Sequence, residues 1–260
     1  MKISTLYSGS RGNAAFIQCG DIKLLIDAGK SARALKNALV TLGTSTEELD
    51  AILITHEHCD HISALETSSE ICDIPLHAAG GCAEKLALHS SPYIQRNLIA
   101  HPPLFELNLG DVRITSFPTP HDSAESVGYR FEWQEDGVYH AVGYATDVGY
   151  VSDQVVAGLS GCEAVIIEAN HDVEMLMEGP YPYHLKQRIL SRRGHLCNAD
   201  CASLALTLAD RGTRAFLLAH LSEKNNTPEL AYDEVFSVLS DRNVTLMTAD
   251  SRIPTKLIWE

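Results

Sequence analysis

No stretch of the 260-residue chain approaches the roughly 18 consecutive apolar residues of a membrane span, which argues against an α-helical membrane protein. Seven cysteines, odd in number and scattered, do not frame a disulfide scaffold. The opening residues, Met1-Lys2-Ile3-Ser4-Thr5-Leu6-Tyr7, hold no apolar run of the secretory kind. From these absences a cytoplasmic protein with no membrane association is expected. Positive charge is scarce as well. Lys and Arg number 20 against 34 Asp and Glu, and the net charge of −14 argues against a protein that grips polyanions over its whole surface. No repeat, low-complexity tract or linker interrupts the chain, so one domain over residues 1–260 is expected. What remains is ordinary globular composition, 45% hydrophobic and 21% charged, with an unusual 12 histidines whose placement must be explained.

Apolar, β-branched runs alternate with helical patterns along the chain. Periodicity predicts strands over 3–6, 15–19, 23–26, 51–55, 75–78, 164–167, 214–218 and 245–247, and helices over 31–42, 199–209 and 228–239. The last helix has Thr227 as its N-cap and Pro228 in the first position. Residues 127–133 and 138–144 flank Asp136-Gly137, the pair that supplies the positive φ of a tight hairpin. Strands early and late in both halves, with helices between, predict an α/β protein of two packed sheets covered by helices.

The strongest chemical signal is Thr55-His56-Glu57-His58-Cys59-Asp60-His61, directly after the apolar run 51–54. Alternate side chains of extended backbone point the same way, so His56 and His58 can grip one ion, and a turn at Cys59-Asp60 aims Asp60 and His61 at a neighbouring point. Imidazole and carboxylate are ligands that zinc, manganese and iron accept, so the metal stays open among the three. Further candidates sit just beyond other predicted strands: His121 in Thr119-Pro120-His121-Asp122, Asp147 in Ala145-Thr146-Asp147, and His220 after 216–219. Any one of these alone could be a surface loop residue; their joint placement favours a site.

The ordered series Leu25-Ile26-Asp27-Ala28-Gly29, His56-x-His58-x-Asp60-His61, His121, Asp147 and His220 resembles the five motifs of the metallo-β-lactamase-fold hydrolases, over nearly the whole chain. The resemblance implies an αββα sandwich, two mixed sheets flanked by helices, with a dinuclear site along one edge. It implies that His56, His58 and His121 bind one divalent ion, that Asp60, His61 and His220 bind a second, and that Asp147 bridges them. Asp27 is implied to orient ligands rather than bind metal. Two such ions share a hydroxide, lower its pKa and stabilise attacking and leaving oxygens.

The substrate is narrower than the fold. The β-lactamases of the best-known type place a cysteine in the second metal site, whereas Cys59 lies at a variable position and reads as a packing residue. Glu168, in Ile166-Ile167-Glu168-Ala169-Asn170-His171-Asp172, and His195, in Gly194-His195-Leu196-Cys197-Asn198, resemble the Glu and His pair that assists leaving-group protonation in transfer-RNA 3′-processing nucleases of this fold. The competing reading makes Glu168 a helix cap and His195 a helix-start residue. Lys186, Arg188, Arg192 and Arg193 concentrate positive charge beside His195, either to hold a polyanion locally or as a solvated helix face. Ser8-Gly9-Ser10-Arg11-Gly12-Asn13 offers backbone N–H groups to an anion or forms a tight turn. Ser10, Asn13, Asn170, His171, Lys186, Arg188 and Asn198 are the candidate substrate contacts.

These segments together resemble the bacterial YycJ/WalJ-like branch, which implies a 5′-to-3′ exonuclease acting on DNA, with Asp60, Glu168 and His195 as catalytic residues. The interval from Asp147 to His220 is too short for the extra domain of β-CASP nucleases. A small-metabolite thioesterase or lactonase of the same fold is the alternative, and a scaffold protein that has lost its ligands is disfavoured because every expected ligand is present. Oligomeric state is left open.

Overall fold

The computed structural model describes residues 1–65, 73–89 and 91–259. The first half runs β1 (Lys2–Tyr7), β2 (Ala14–Cys19), β3 (Ile22–Ile26), α1 (Ala32–Thr41), β4 (Ala51–Ile54), α2 (Cys59–Ile62), β5 (Leu76–Ala79), α3 (Gly80–His89), α4 (Pro92–Asn97) and β6 (Leu98–His101). The second half runs β7 (Glu106–Leu109), β8 (Val112–Pro118), β9 (Val127–Glu135), β10 (Val138–Ala145), α5 (Asp153–Leu159), β11 (Ala164–Glu168), α6 (Val173–Glu178), α7 (Tyr183–Ile189), α8 (Asn198–Asp210), β12 (Ala215–Ala219), α9 (Pro228–Leu239), β13 (Thr245–Thr248) and β14 (Thr255–Leu257).

The described strands form two seven-stranded sheets, ordered β14-β1-β2-β3-β4-β5-β6 and β13-β12-β11-β10-β9-β8-β7. Each is mixed: β3-β4-β5-β6 run parallel in the first, β10-β11-β12-β13 in the second. The period of two along a strand sorts side chains between layers. Leu24 and Ile26 of β3 and Leu53 of β4 join Val142, Ile166 and Leu217 of the other sheet in a core between the sheets. Leu25, Ile52 and Ile54 face the opposite way, onto Leu35 and Leu39 of α1. Val165, Ile167, Phe216 and Leu218 pack beneath Leu204 and Leu208 of α8 and Val235 of α9. Strands buried on both faces carry near-continuous apolar runs, which is why these elements were readable. The expected αββα sandwich is the observed architecture.

Local signals behave as their chemistry requires. Asp136 and Gly137 take φ of 52° and 78°, the double positive of a type I′ hairpin turn. Thr227 accepts from the Leu230 N–H with Pro228 in the first turn of α9. The strand expected over 75–78 lies one residue later, and β6, β7, β14 and the helices α2 to α6 escaped the periodic reading. Those three strands are brief and mostly part-exposed, so they lack a clean apolar alternation. Among the described residues no helix is long and apolar enough to cross a membrane, and the described cysteines are free thiols.

Candidate metal centre

The carboxyl ends of β3, β4, β8, β10, β11 and β12 meet along one edge of the sandwich. They deliver Asp27, His56, His121, Asp147, Glu168 and His220, each within three residues of its strand's end. Asp27, Asp147 and His220 hold φ of 58°, 58° and 59°, the left-handed region that L-residues avoid at a cost of roughly 1–2 kcal/mol. That backbone swings the chain off the strand while the side chain turns back into the site. Three of the four non-glycine residues with positive φ among the described residues stand here, the fourth being the hairpin's Asp136, which fits a site whose geometry outweighs local comfort.

Two trios of ligand atoms form there, each with its members within 4.8 Å of one another: His56, His58 and His121, and Asp60, His61 and His220. Asp147 closes a further group with His56 and His61. Its Oδ2 lies 3.4 Å from His61 Nε2 and its Oδ1 3.7 Å from His121 Nε2, so it stands between the trios.

Partners behind the imidazoles decide which nitrogen faces inward. His121 Nδ1 donates to the Gly194 carbonyl at 3.0 Å, turning Nε2 to within 3.3 Å of His58 Nδ1. His61 Nδ1 lies 2.7 Å from Asp27 Oδ2 and His220 Nδ1 2.8 Å from Glu168 Oε1. Asp27 is wholly buried, and Thr55 occupies it further, donating from its backbone N–H and its hydroxyl at 2.8 Å each. Asp27 therefore aims His61 and does not reach the centre, as expected. Thr55 Oγ also sits 3.0 Å from His56 Nδ1, a role the sequence reading missed although Thr55 adjoins His56.

His56 Nε2, His220 Nε2 and Asp147 Oδ2 are buried without any hydrogen-bond partner. Each such atom costs roughly 1–3 kcal/mol unless something satisfies it. Lone pairs converging on one place need a cation, and nitrogen and oxygen donors of this kind suit zinc, manganese or iron. The electrostatics agree. Burial opposes a charge on His61, but Asp147 and Asp27 outweigh it and push its pKa up to about 9. His220 is likewise raised well above the ordinary histidine value, against burial, by Asp147, Asp60 and Glu168. His56 moves down instead, through burial and its histidine neighbours. A field that retains protons on two buried imidazoles is one in which a metal ion replaces them.

Glu168 is the best-connected carboxylate of the site. Oε1 accepts from His195 Nδ1 and from His220 Nδ1, both at 2.8 Å, and Oε2 accepts from the Val148 and Leu196 N–H groups at 2.7 and 3.1 Å. Burial disfavours its charge, yet His195 and His220 hold its pKa well below the usual carboxylate range. Expected to act with His195, it touches both His195 and His220 and has both oxygens fully engaged. His195 is part-exposed and lines the cavity.

A cavity of about 230 Å³ opens over the centre, and Ser10, Asn170 and Arg188 line it as candidate substrate contacts. The other candidates lie elsewhere. Asn13 is buried, and its amide donates to Asp60 Oδ2 at 3.2 Å while accepting from the Gly9 N–H at 2.8 Å, so it braces a ligand from behind. His171 is 1% exposed and does not line the cavity. Asn198 is buried in a reciprocal amide pair with Asn226, at 2.9 and 2.8 Å. Lys186 bonds the Met177 carbonyl at 2.5 Å. The basic patch is dispersed too: Arg192 lies over the Tyr150 ring at 3.9 Å, and Arg193 donates to the carbonyls of His121 and Ser123. Successive residues of a helix point in different directions, so a charge run in sequence is not a patch in space. Asp122, Tyr181, Leu185 and Ser222 line the cavity and were not singled out; only Asp122, beside His121, carried any signal.

Comparison with known proteins accords with this geometry. The family description "Beta-lactamase superfamily domain" matches residues 23–221. The chain is 36% identical over 247 residues to exodeoxyribonuclease WalJ of Streptococcus pneumoniae, covering 94% of this chain and 90% of that protein. It is 35% identical over 266 residues to exodeoxyribonuclease YycJ of Bacillus anthracis, covering 99% and 98%. Among solved structures, the metallo-β-lactamase-fold protein YhfI of Bacillus subtilis superposes with a TM-score of 0.70 at 20% identity, over 98% of this chain and 100% of that one, a likeness of fold.

Proposed function

Because the chain belongs to the beta-lactamase superfamily and keeps a full set of buried nitrogen and oxygen ligands, we propose that it is a dinuclear metal-dependent phosphodiesterase, a 5′-to-3′ exonuclease acting on DNA. The exodeoxyribonuclease names of relatives aligned over nearly its whole length support that substrate. His56, His58 and His121 would hold one ion, Asp60, His61 and His220 the other, with Asp147 between them. Two divalent ions supply an acidified water as nucleophile and neutralise charge on the phosphoryl oxygens.

The observation that carries the phosphodiester reading is the Glu168–His195 pair at 2.8 Å on the rim of the centre. An alkoxide leaving group needs a proton, whereas a thiolate needs it far less. The Nδ1–H bond to Glu168 fixes the ring and leaves Nε2 to give the leaving oxygen its proton. Asp60 keeps its carboxylate ionised against burial, through His220 and His61, and so stays available as a ligand. We further place the protein in the cytoplasm, a reading that its unpaired thiols support.

The test is digestion of end-labelled duplex DNA by protein loaded separately with manganese or zinc, with Asp60→Ala as control. Stepwise shortening from the 5′ end, lost in the variant, is the expected result. Absence of cleavage by protein carrying two ions would overturn it in favour of a thioesterase or lactonase.

A further inference from the structure

The cavity is lined by two unlike kinds of residue: the histidines and aspartates of the centre with His195, and Tyr181, Leu185 and Ile189. Leu185 and Ile189, four residues apart, share one face of α7, and Tyr181 lies two residues before the helix. Ile189 is buried, but Tyr181 and Leu185 are only half-buried and present apolar surface to the cavity. Arg188 stands beside them. Among the described residues it is the one Lys or Arg that lines the cavity, with a side chain 60% exposed and its Nε donating to Asp122 Oδ2 at 2.5 Å.

We propose that this face of α7 seats an unpaired terminal nucleotide, Tyr181 and Leu185 taking its base and Arg188 its phosphate. The proposal deepens the nuclease reading and rests on it. A cavity of about 230 Å³ is smaller than the roughly 300–1,000 Å³ of common ligand pockets, so it has room for one base, with the phosphate at the mouth, and none for a base pair. The terminal base must therefore leave its partner before its phosphodiester reaches the metals, and that loss of stacking has to be repaid inside the protein. A tyrosine ring with an aliphatic neighbour is the sequence-tolerant platform that does so, because every base has a π face. Asp122 holds the guanidinium over the cavity until a phosphate competes for it. In a chain of net charge −14, one cation at the mouth restricts polyanion binding to the strand end.

The experiment compares two labelled duplexes with a short 5′ single-stranded overhang, so that no base pair has to open, one ending in a natural 5′ nucleotide and one whose terminal sugar-phosphate lacks its base, digested by the metal-loaded full chain. Wild type and Tyr181→Phe are expected to favour the natural end about tenfold in kcat/KM, the scale of one base–aromatic stack. In Tyr181→Ala, at equal metal content, that ratio is expected to fall toward one. Equal digestion of both ends by wild type, or an unchanged ratio in Tyr181→Ala, overturns the base seat alone. Digestion of neither end by protein holding two ions overturns the nuclease reading and this inference with it. The wild-type ratio decides by itself should Tyr181→Ala fail to fold.

Discussion

Gly29 lies so close to Asp60 that a β-carbon on it would fall 1.6 Å from the Asp60 carbonyl oxygen. The contact belongs to a clasp: Gly29 donates its N–H to Asn13, Asn13 to the Asp60 carbonyl, and Ala28 to the His61 carbonyl, at 2.9, 2.8 and 2.7 Å. The segment after β3 and the loop carrying four ligands are thereby packed backbone to backbone.

Gly29→Ala is accordingly expected to destabilise the protein by about 3 kcal/mol, the upper end of overpacking costs, because backbone rather than a flexible side chain must yield. Thermal unfolding measures the loss. Metal analysis should show depletion that begins with the ion expected on Asp60, His61 and His220. A variant with unchanged melting and full metal content would contradict the clasp.

Glu168 and His195 should separate by their metal content. Removing Glu168 frees both His195 and the ligand His220, so Glu168→Gln is expected to weaken metal binding about 10- to 100-fold as well as slow turnover. His195→Ala should keep both ions and lose about 10²- to 10⁴-fold in kcat, the usual worth of a positioned acid. Titration with a competing chelator, alongside kinetics, distinguishes them. Metal loss in His195→Ala would recast that residue as a ligand.

Loading the metal-free protein should release protons. His61, at about 9, is protonated near pH 7.5, and His220 is raised well above the ordinary histidine value by its carboxylate neighbours; both must become neutral to bind an ion. Calorimetry in two buffers of different ionisation enthalpy reads the number released. The sign for stability follows from linkage. A histidine whose folded pKa exceeds its ordinary value of about 6.5 contributes stability that is complete below that pH and is lost as pH rises through about 9. Chelated protein should therefore weaken between those limits, and metal-loaded protein should not. Parallel melting curves for the two forms would count against this charge balance.

Much of the centre was legible because its code is local. His56, His58, Asp60 and His61 crowd one loop after a buried strand, and Asp27, His121, Asp147 and His220 each follow an apolar run, so strand periodicity places each at a strand end, and the family resemblance implied that these ends share one edge. The alternation of inner and outer faces likewise needs only a period of two, and it yielded the layered α/β class. Tertiary structure decided what each polar group meets. Asn13 looked like a substrate contact until its amide was found on Asp60, 47 residues away, and Glu168 looked like the partner of His195 alone until it was found on His220 as well, 52 residues away. The run from Lys186 to Arg193 could be read as one patch or a solvated face, but two of its cations stand on α7 and two on the turn after it, and they go to Met177, Asp122, Tyr150 and the His121 carbonyl. Hydrophobic period and strand-end placement are properties of neighbouring residues, and sequence by itself determines them. A buried donor or acceptor instead takes whichever partner packing brings within about 3 Å, and that is settled only when distant segments meet.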